Sequence, residues 1–150
     1  MYKYRYGDFK LVKVGDYDLP DDLHYHEKHT WAKKEGDLVR VGVDSIGVAL
    51  AGKIIFVRVK KEGKNINSGK NFGTAEAGKG VIPLTTPISG EIIETNPKAS
   101  GRQVKDLNED PYGEGWLIIM KPSGDVDAEF GKLITGADIK PWAEEEIKQL

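Results

Sequence analysis

The chain has 150 residues, 39% of them hydrophobic and 31% charged, with a formal net charge of −2, which suits a single domain with a modest core. Its Lys and Arg residues are interleaved with acids, so nothing points to a nucleic-acid partner; no apolar run could cross a membrane or act as a signal-peptide core, and a cytoplasmic protein is expected. The absence of cysteine removes disulfides, thiolate nucleophiles and cysteine metal sites, so any redox or acyl chemistry must come from a borrowed group.

Residues 1 to 22 read as an N-terminal extension. Tyr2, Tyr4 and Tyr6 alternate with Lys3 and Arg5, the period of an added edge strand, and Gly15 to Asp22 reads as a polar turn around Pro20. The extension is expected to pack on the domain that follows, residues 23 to 135. His24, His26 and His29 lie close together, but with no cysteine and no obvious carboxylate to complete a tetrahedral set, no metal site is expected. Residues 37 to 43 read as a strand after a Glu35-Gly36-Asp37 turn. Asp44 or Ser45 can N-cap a short helix that Gly52 ends, its apolar residues Ile46, Val48, Ala49 and Leu50 covering one opening of a barrel.

Gly52-Lys-Ile-Ile55 opens a strand-like run to Val59, and Gly90-Glu-Ile-Ile93 opens another to Thr95, which suggests a two-fold duplication of short strands. Between them lie a turn over Gly63 to Gly69 and a solvated face of Lys60, Lys61, Lys64 and Lys70. Then come two short runs, Phe72 to Glu76 and Leu84 to Ile88, compatible with strands meeting at Gly78-Lys79-Gly80. Pro83 and Pro87 confine them to sheet edges or strand ends. Without a Cβ at Gly78 and Gly80 the backbone can turn sharply and an enzyme can approach closely. Lys79 is therefore the candidate modified residue.

Trp116 to Lys121 is a continuous apolar run and reads as a buried closing strand. Residues 136 to 150 read as a terminal helix and structural clamp, with Pro141 at its first position, Glu144 to Glu146 early, Lys148 late, and Ala143, Ile147 and Leu150 on one side.

Gly63, Ile66, Gly69, Phe72, Glu76, Lys79, Pro87, Gly90 and Ile92 together resemble the lipoyl-attachment signature. His29-Thr-Trp31, Val41-Gly42-Val43 and Asn108-Glu-Asp-Pro-Tyr-Gly-Glu-Gly-Trp116 extend the likeness, in order, over about residues 23 to 135. The chain resembles the H protein family of the glycine cleavage system. That resemblance implies a mainly β fold, a flattened barrel or sandwich of two small sheets (the barrel-sandwich hybrid of lipoyl domains), with a short internal helix and a C-terminal helix. It also implies covalent lipoate, amide-linked to Lys79, and a non-catalytic carrier subunit. Gly78 and Gly80 would let the lysine be presented, Glu76 matches the acidic position read by the attaching enzyme, and His29 matches a histidine near the cleft where the loaded arm rests. Biotin carriers resemble one another in having methionines on both sides of the modified lysine, so lipoate is favoured here.

The implied partners are a lipoate ligase or lipoyl transferase, then glycine decarboxylase, aminomethyltransferase and dihydrolipoamide dehydrogenase. Family members typically read Glu-Ser-Val-Lys-Ala-x-Ser-Asp around the lysine, whereas this chain reads Glu76-Ala-Gly-Lys-Gly-Val-Ile-Pro83. Two alternatives stay open at this stage: an H-like lipoate-binding carrier serving sulfur-oxidation enzymes of the heterodisulfide-reductase-like type, which the altered lysine context favours, and an unmodified β-rich interaction module.

Overall fold

The computed structural model describes residues 10–150; the edge strand expected over Tyr2 to Tyr6 lies outside them. Strands β1 (Leu11–Val14) and β2 (Tyr17–Pro20) pair antiparallel, Val14 opposite Tyr17. This corrects the expectation of a polar turn over Gly15 to Asp22. Asp18 is exposed while Leu19 and Pro20 are buried, so this stretch is a strand with one solvent-facing acid and a buried end, not a polar turn. The turn is confined to Gly15-Asp16, where Gly15 takes φ +58°, a left-handed conformation that glycine adopts without steric cost.

The remaining strands are β3 (His24–Tyr25), β4 (Thr30–Glu35), β5 (Leu38–Val43), β6 (Ile54–Val59), β7 (Asn65–Ile66), β8 (Asn71–Ala77), β9 (Gly80–Thr85), β10 (Gly90–Thr95) and β11 (Ile118–Pro122). Helices are α1 (Ser45–Ala51), α2 (Lys105–Glu109), α3 (Val126–Gly131) and α4 (Ile139–Ile147). The strands form a six-stranded sheet in the order β3-β4-β5-β11-β10-β7 and a three-stranded sheet in the order β6-β8-β9. The two sheets are not closed into a barrel, and the fold is mainly β with few helices. The two similar glycine-headed runs become β6 and β10, one in each sheet.

The main core draws on both sheets, with Val41, Val57, Phe72, Leu84, Ile92 and Met120 all buried. A second core holds the β1-β2 hairpin and α4 against β3, β4 and β11 through Leu19, Tyr25, Trp31, Ile119 and Ile139. Strand β11 explains its own apolar run: Ile118 and Met120 belong to the first core and Ile119 to the second, because successive side chains point to opposite faces. It is central, paired with β5 on one side and β10 on the other. The expected closing strand is thus an interior one.

Helix α1 begins as its sequence suggests. Asp44 is the N-cap and accepts the Gly47 N–H at 2.7 Å. Ile46 is fully buried, while Val48 and Leu50 are half-buried. Helix α4 starts two residues before Pro141, at Ile139, after a 3-10 turn over Gly136–Asp138. Pro141 still lies in the first turn, where its missing N–H has no intrahelical partner to lose. Ala143 is buried and Ile147 half-buried, but Leu150 lies beyond the helix end and is exposed, which shortens the apolar side that was expected to include it. No helix among the described residues is long and apolar enough to cross a membrane.

Candidate functional site

Strands β8 and β9 pair down to Ala77 opposite Gly80, which leaves Gly78 and Lys79 as a two-residue turn. Strand β9 starts at Gly80 and ends at Thr85, so the second run sits closer to the lysine than the expected Leu84 to Ile88. Pro83 lies within it, on the edge strand of its sheet, as its missing donor requires. Gly80 adopts φ +124°, a conformation open to glycine and strained for any other residue.

The tip of this hairpin is docked, not free. The Lys79 N–H donates to Ala51 O and the Gly78 N–H to Lys53 O, each at 3.0 Å. Both acceptors flank Gly52, the C-cap of α1 at φ +81°, and a Cβ built at Gly52 would lie 3.5 Å from Gly78 Cα and 3.6 Å from Lys79 Cγ. The backbone at Lys79 is therefore held by the end of a helix while its side chain remains exposed. Glu76 is exposed on β8, one rung below the closing pair and opposite Val81.

Lys79 borders a cleft of about 400 Å³ whose lining includes the apolar Leu50, Ile82 and Leu84 and the polar Glu27, His29 and Glu146. Beside it, Thr30 Oγ1 donates to Thr85 O at 2.7 Å, which joins the two sheets. His29 is the most constrained member of this wall. It is the non-glycine residue with positive φ among the described residues, at +72°, and it packs so close to α1 that a Cβ on Gly47 would come within 2.7 Å of its own Cβ.

The imidazole of His29 lies between two carboxylates. Its Nδ1 is 3.0 Å from Asp44 Oδ2, its Nε2 is 2.7 Å from Glu146 Oε1, and its ring stacks on Trp142 with centroids 5.1 Å apart. Burial opposes a charge on this ring, but the hydrogen bonds and charges of Asp44 and Glu146 outweigh it and raise its pKa above the ordinary histidine value. Burial pushes the Asp44 carboxyl up, and His29 pulls against that push. The three groups form one hydrogen-bonded unit spanning α1, the β3-β4 connection and α4.

The three histidines have separate environments. His24 meets the Phe130 ring edge-on at 4.8 Å, and His26 Nδ1 accepts the Lys28 N–H at 3.0 Å. Among the described residues no group of three or more His, Cys, Asp or Glu is arranged to hold a metal. The Asn108 to Trp116 segment supports the frame around the cleft: Asn108 exchanges hydrogen bonds with the backbone of Ile54, and Tyr112 Oη accepts the Ser45 N–H. Burial raises the Tyr112 phenol well above its ordinary pKa, so it acts as a neutral hydrogen-bonding group.

Sequence reasoning placed Lys79, Glu76, Gly78 and Gly80 on one hairpin and His29 near a cleft, and the structure puts His29 and Lys79 on the same one. It missed Glu146 and the pairing role of Asp44. Asp44 was legible only as a helix cap, and Glu146 lies 117 residues from its partner.

Residues 23–146 match the family model described as glycine cleavage H-protein. A protein of Sulfurisphaera tokodaii named probable glycine cleavage system H protein 2 is 40% identical over 85% of this chain and 86% of its own length. A glycine cleavage system H protein of Anaeromyxobacter sp. is 36% identical over 86% of this chain and 98% of its own. The crystal structure of a glycine cleavage system H protein from Mycobacterium marinum superposes with a TM-score of 0.73 at 31% identity, covering 85% of this chain and 98% of that one. The chain belongs to the glycine cleavage H-protein family.

Proposed function

We propose that Lys79 carries lipoate through an amide on Nζ, and that the chain is a non-catalytic carrier moving a lipoyl-bound aminomethyl group between the enzymes of glycine cleavage. The observation that carries this reading is the contrast within one residue: the Lys79 backbone is pinned to Ala51 O at 3.0 Å while its side chain is exposed beside the cleft. A carrier needs this combination, because a fixed attachment point aims a long arm without restraining it.

The residues present suit that group. Lys79 offers an amine for acylation, Gly78 and Gly80 keep side chains away from it, and the apolar Leu50, Ile82 and Leu84 suit a hydrocarbon arm. When bound, the lipoyl group supplies two sulfurs that alternate between disulfide, dithiol and substrate-loaded forms. The chain itself presents and shelters. Its apolar wall gives a hydrocarbon arm a surface to rest on, and the His29–Glu146 pair fixes the polar rim. Glu76 is exposed where an attaching enzyme, a lipoate ligase or lipoyl transferase, can read it. Glycine decarboxylase, aminomethyltransferase and dihydrolipoamide dehydrogenase are the partners that would act on the loaded arm.

The test is the intact mass of protein co-produced with a lipoate ligase, beside Lys79→Arg. One lipoyl increment on the wild type and none on the variant is the expected outcome. An unmodified wild type, under conditions that fully label a known lipoyl domain, overturns the reading.

A further inference from the structure

We propose that the open edge of strand β6, with the groove beside it, is a docking site for an extended acidic segment of a partner protein, set apart from Lys79 and its cleft.

Charge is concentrated here. Residues 58–70 carry the cations Arg58, Lys60, Lys61, Lys64 and Lys70 against one acid, Glu62, in a chain whose net charge is −2. All five cations are exposed. None of them is paired with an acid among the described residues, whereas Lys13, Lys34, Arg40 and Lys98 are. Cations gathered in this way repel one another, a cost that an anionic partner removes.

The backbone adds shape to the charge. Arg58, Lys60 and Lys61 line a groove of about 510 Å³ that Thr95, Ser100 and Gly101 also line. It follows a sheet edge, because β6 is an outermost strand of the order β6-β8-β9. The Lys60 N–H donates to Phe72 O at 2.8 Å, so the Lys60 backbone faces β8 and that of Val59 turns to the open side. Two residues earlier, Val57 exchanges hydrogen bonds with Gly101, each of 2.9 Å. This edge thus already makes one outward pairing, and Val59, which lines the groove, is the next position along it.

These features commit the site to an acidic peptide. Arg58 and Lys60 are alternate residues of an extended stretch, about 6.6 Å apart, which is the spacing of alternate side chains on any extended chain. A segment added along the edge would pair its backbone at Val59 and set alternate carboxylates against the two cations. The groove is built on a strand edge and holds no helix N-terminus, the feature that suits an isolated phosphate. A second copy of the same edge is disfavoured, since like charge would face like charge. Val59 stands opposite Gly73, and the hairpin tip at Gly78 lies about 17 Å further along that arm. The groove shares no lining residue with the cleft beside Lys79. A partner held here therefore leaves the lysine and its cleft uncovered, and the site does not depend on whether Lys79 is modified.

The test titrates the full chain into a fluorescent decapeptide of alternating Glu and Val at low ionic strength, and reads anisotropy together with backbone amide shifts. Wild type is compared with Lys60→Glu/Lys61→Glu, with Lys132→Glu/Lys140→Glu as a control of equal charge change at other exposed positions, and with Lys79→Arg. The expected result is a Kd raised about 10-fold or more by the Lys60/Lys61 pair and unchanged by the control pair and by Lys79→Arg. The Val59 amide should shift on binding, and added salt should weaken the complex. Equal losses in the two charge-reversed pairs reduce the effect to net charge and overturn the site. So does a peptide that fails to bind wild type, or one that binds without moving the Val59 amide. Tighter binding of a single-stranded oligonucleotide of the same charge overturns the commitment to a peptide. Weakened binding by Lys79→Arg would place the peptide at the hairpin tip, and overturns the site as well.

Discussion

His29 Nε2 lies 2.7 Å from Glu146 Oε1 while its Nδ1 lies 3.0 Å from Asp44 Oδ2, so a single imidazole ties the N-cap of α1 to the last turn of α4. The side chains of His29 and Asp44 are 11% and 0% exposed, and a charged ring there is stabilised only by its two partners. The His29 pKa is raised in the folded chain, against an unfolded value of about 6.5. Its contribution to stability is therefore fully present below about pH 6.5, as long as the carboxylates stay ionised, and is lost as pH rises through the folded pKa.

Glu146→Gln tests this directly. The variant should be destabilised by about 1 to 2 kcal/mol near pH 6, the scale of a hydrogen bond to a charged group, and the deficit should shrink toward alkaline pH. Chemical denaturation at a series of pH values measures the deficit, and a histidine proton resonance titration should show the His29 midpoint move down in the variant. A deficit that is constant from pH 6 to 9 would show that Glu146 acts by packing alone.

Gly47→Ala should reverse a familiar trend. Inside a helix, Gly to Ala ordinarily stabilises by about 0.5 to 1 kcal/mol, but here the added methyl would meet His29 Cβ at 2.7 Å and Val43 Cγ1 at 3.1 Å. His29 cannot retreat easily, because its ring is held on both nitrogens. The expected outcome is a loss of about 1 to 3 kcal/mol, typical of overpacking, accompanied by a lower His29 pKa as the ring is displaced from its carboxylates. A stabilised variant would mean that the His29 segment is more pliable than its contacts suggest.

Two substitutions separate presentation from support. Lys79→Ala, at an exposed turn position, should change stability by no more than about 0.5 kcal/mol while removing the acceptor amine. Trp116→Ala should cost about 3 to 5 kcal/mol, because the ring is buried in the second core with the Arg40 guanidinium 4.7 Å from its centroid. Thermal unfolding of the two variants side by side checks both; a large loss for Lys79→Ala would make that lysine structural.

The parts of this fold legible in the sequence are those set by near neighbours. Asp44 before an apolar run and Gly52 after it delimit α1, and glycines around Lys79 mark the hairpin because turns are local chemistry. The family likeness added the meaning of Lys79, which local chemistry alone leaves as an exposed turn lysine. What was hidden depends on how distant segments pack. A continuous apolar run at Ile118 to Met120 says that both faces of β11 are buried, yet it does not distinguish a closing strand from a central one. The carboxylate for His29 Nε2 comes from a helix read as a clamp, and only the docking of Trp142 and Ala143 against the sheet brings Glu146 into reach.

The β1-β2 hairpin was hidden for a different reason: its inward positions are few and Asp16 and Asp18 fall among them, so its second strand read as part of a polar turn from Gly15 to Asp22. Packing makes a sharp prediction about it. Leu19 is fully buried among Leu23, Tyr25, Trp31 and Ile139, and a Cβ on Gly15 at the hairpin turn would touch Ile147 Cδ1 at 3.3 Å, so the hairpin supports both the second core and α4. Leu19→Ala should therefore cost about 2 to 5 kcal/mol, as for other large-to-small core changes. Because α4 carries Glu146, the same variant should also loosen the His29–Glu146 contact and lower the His29 midpoint in a histidine titration. If unfolding and titration are both unchanged, the hairpin is an appendage, and the cleft rim owes its order to α4 and the sheet alone.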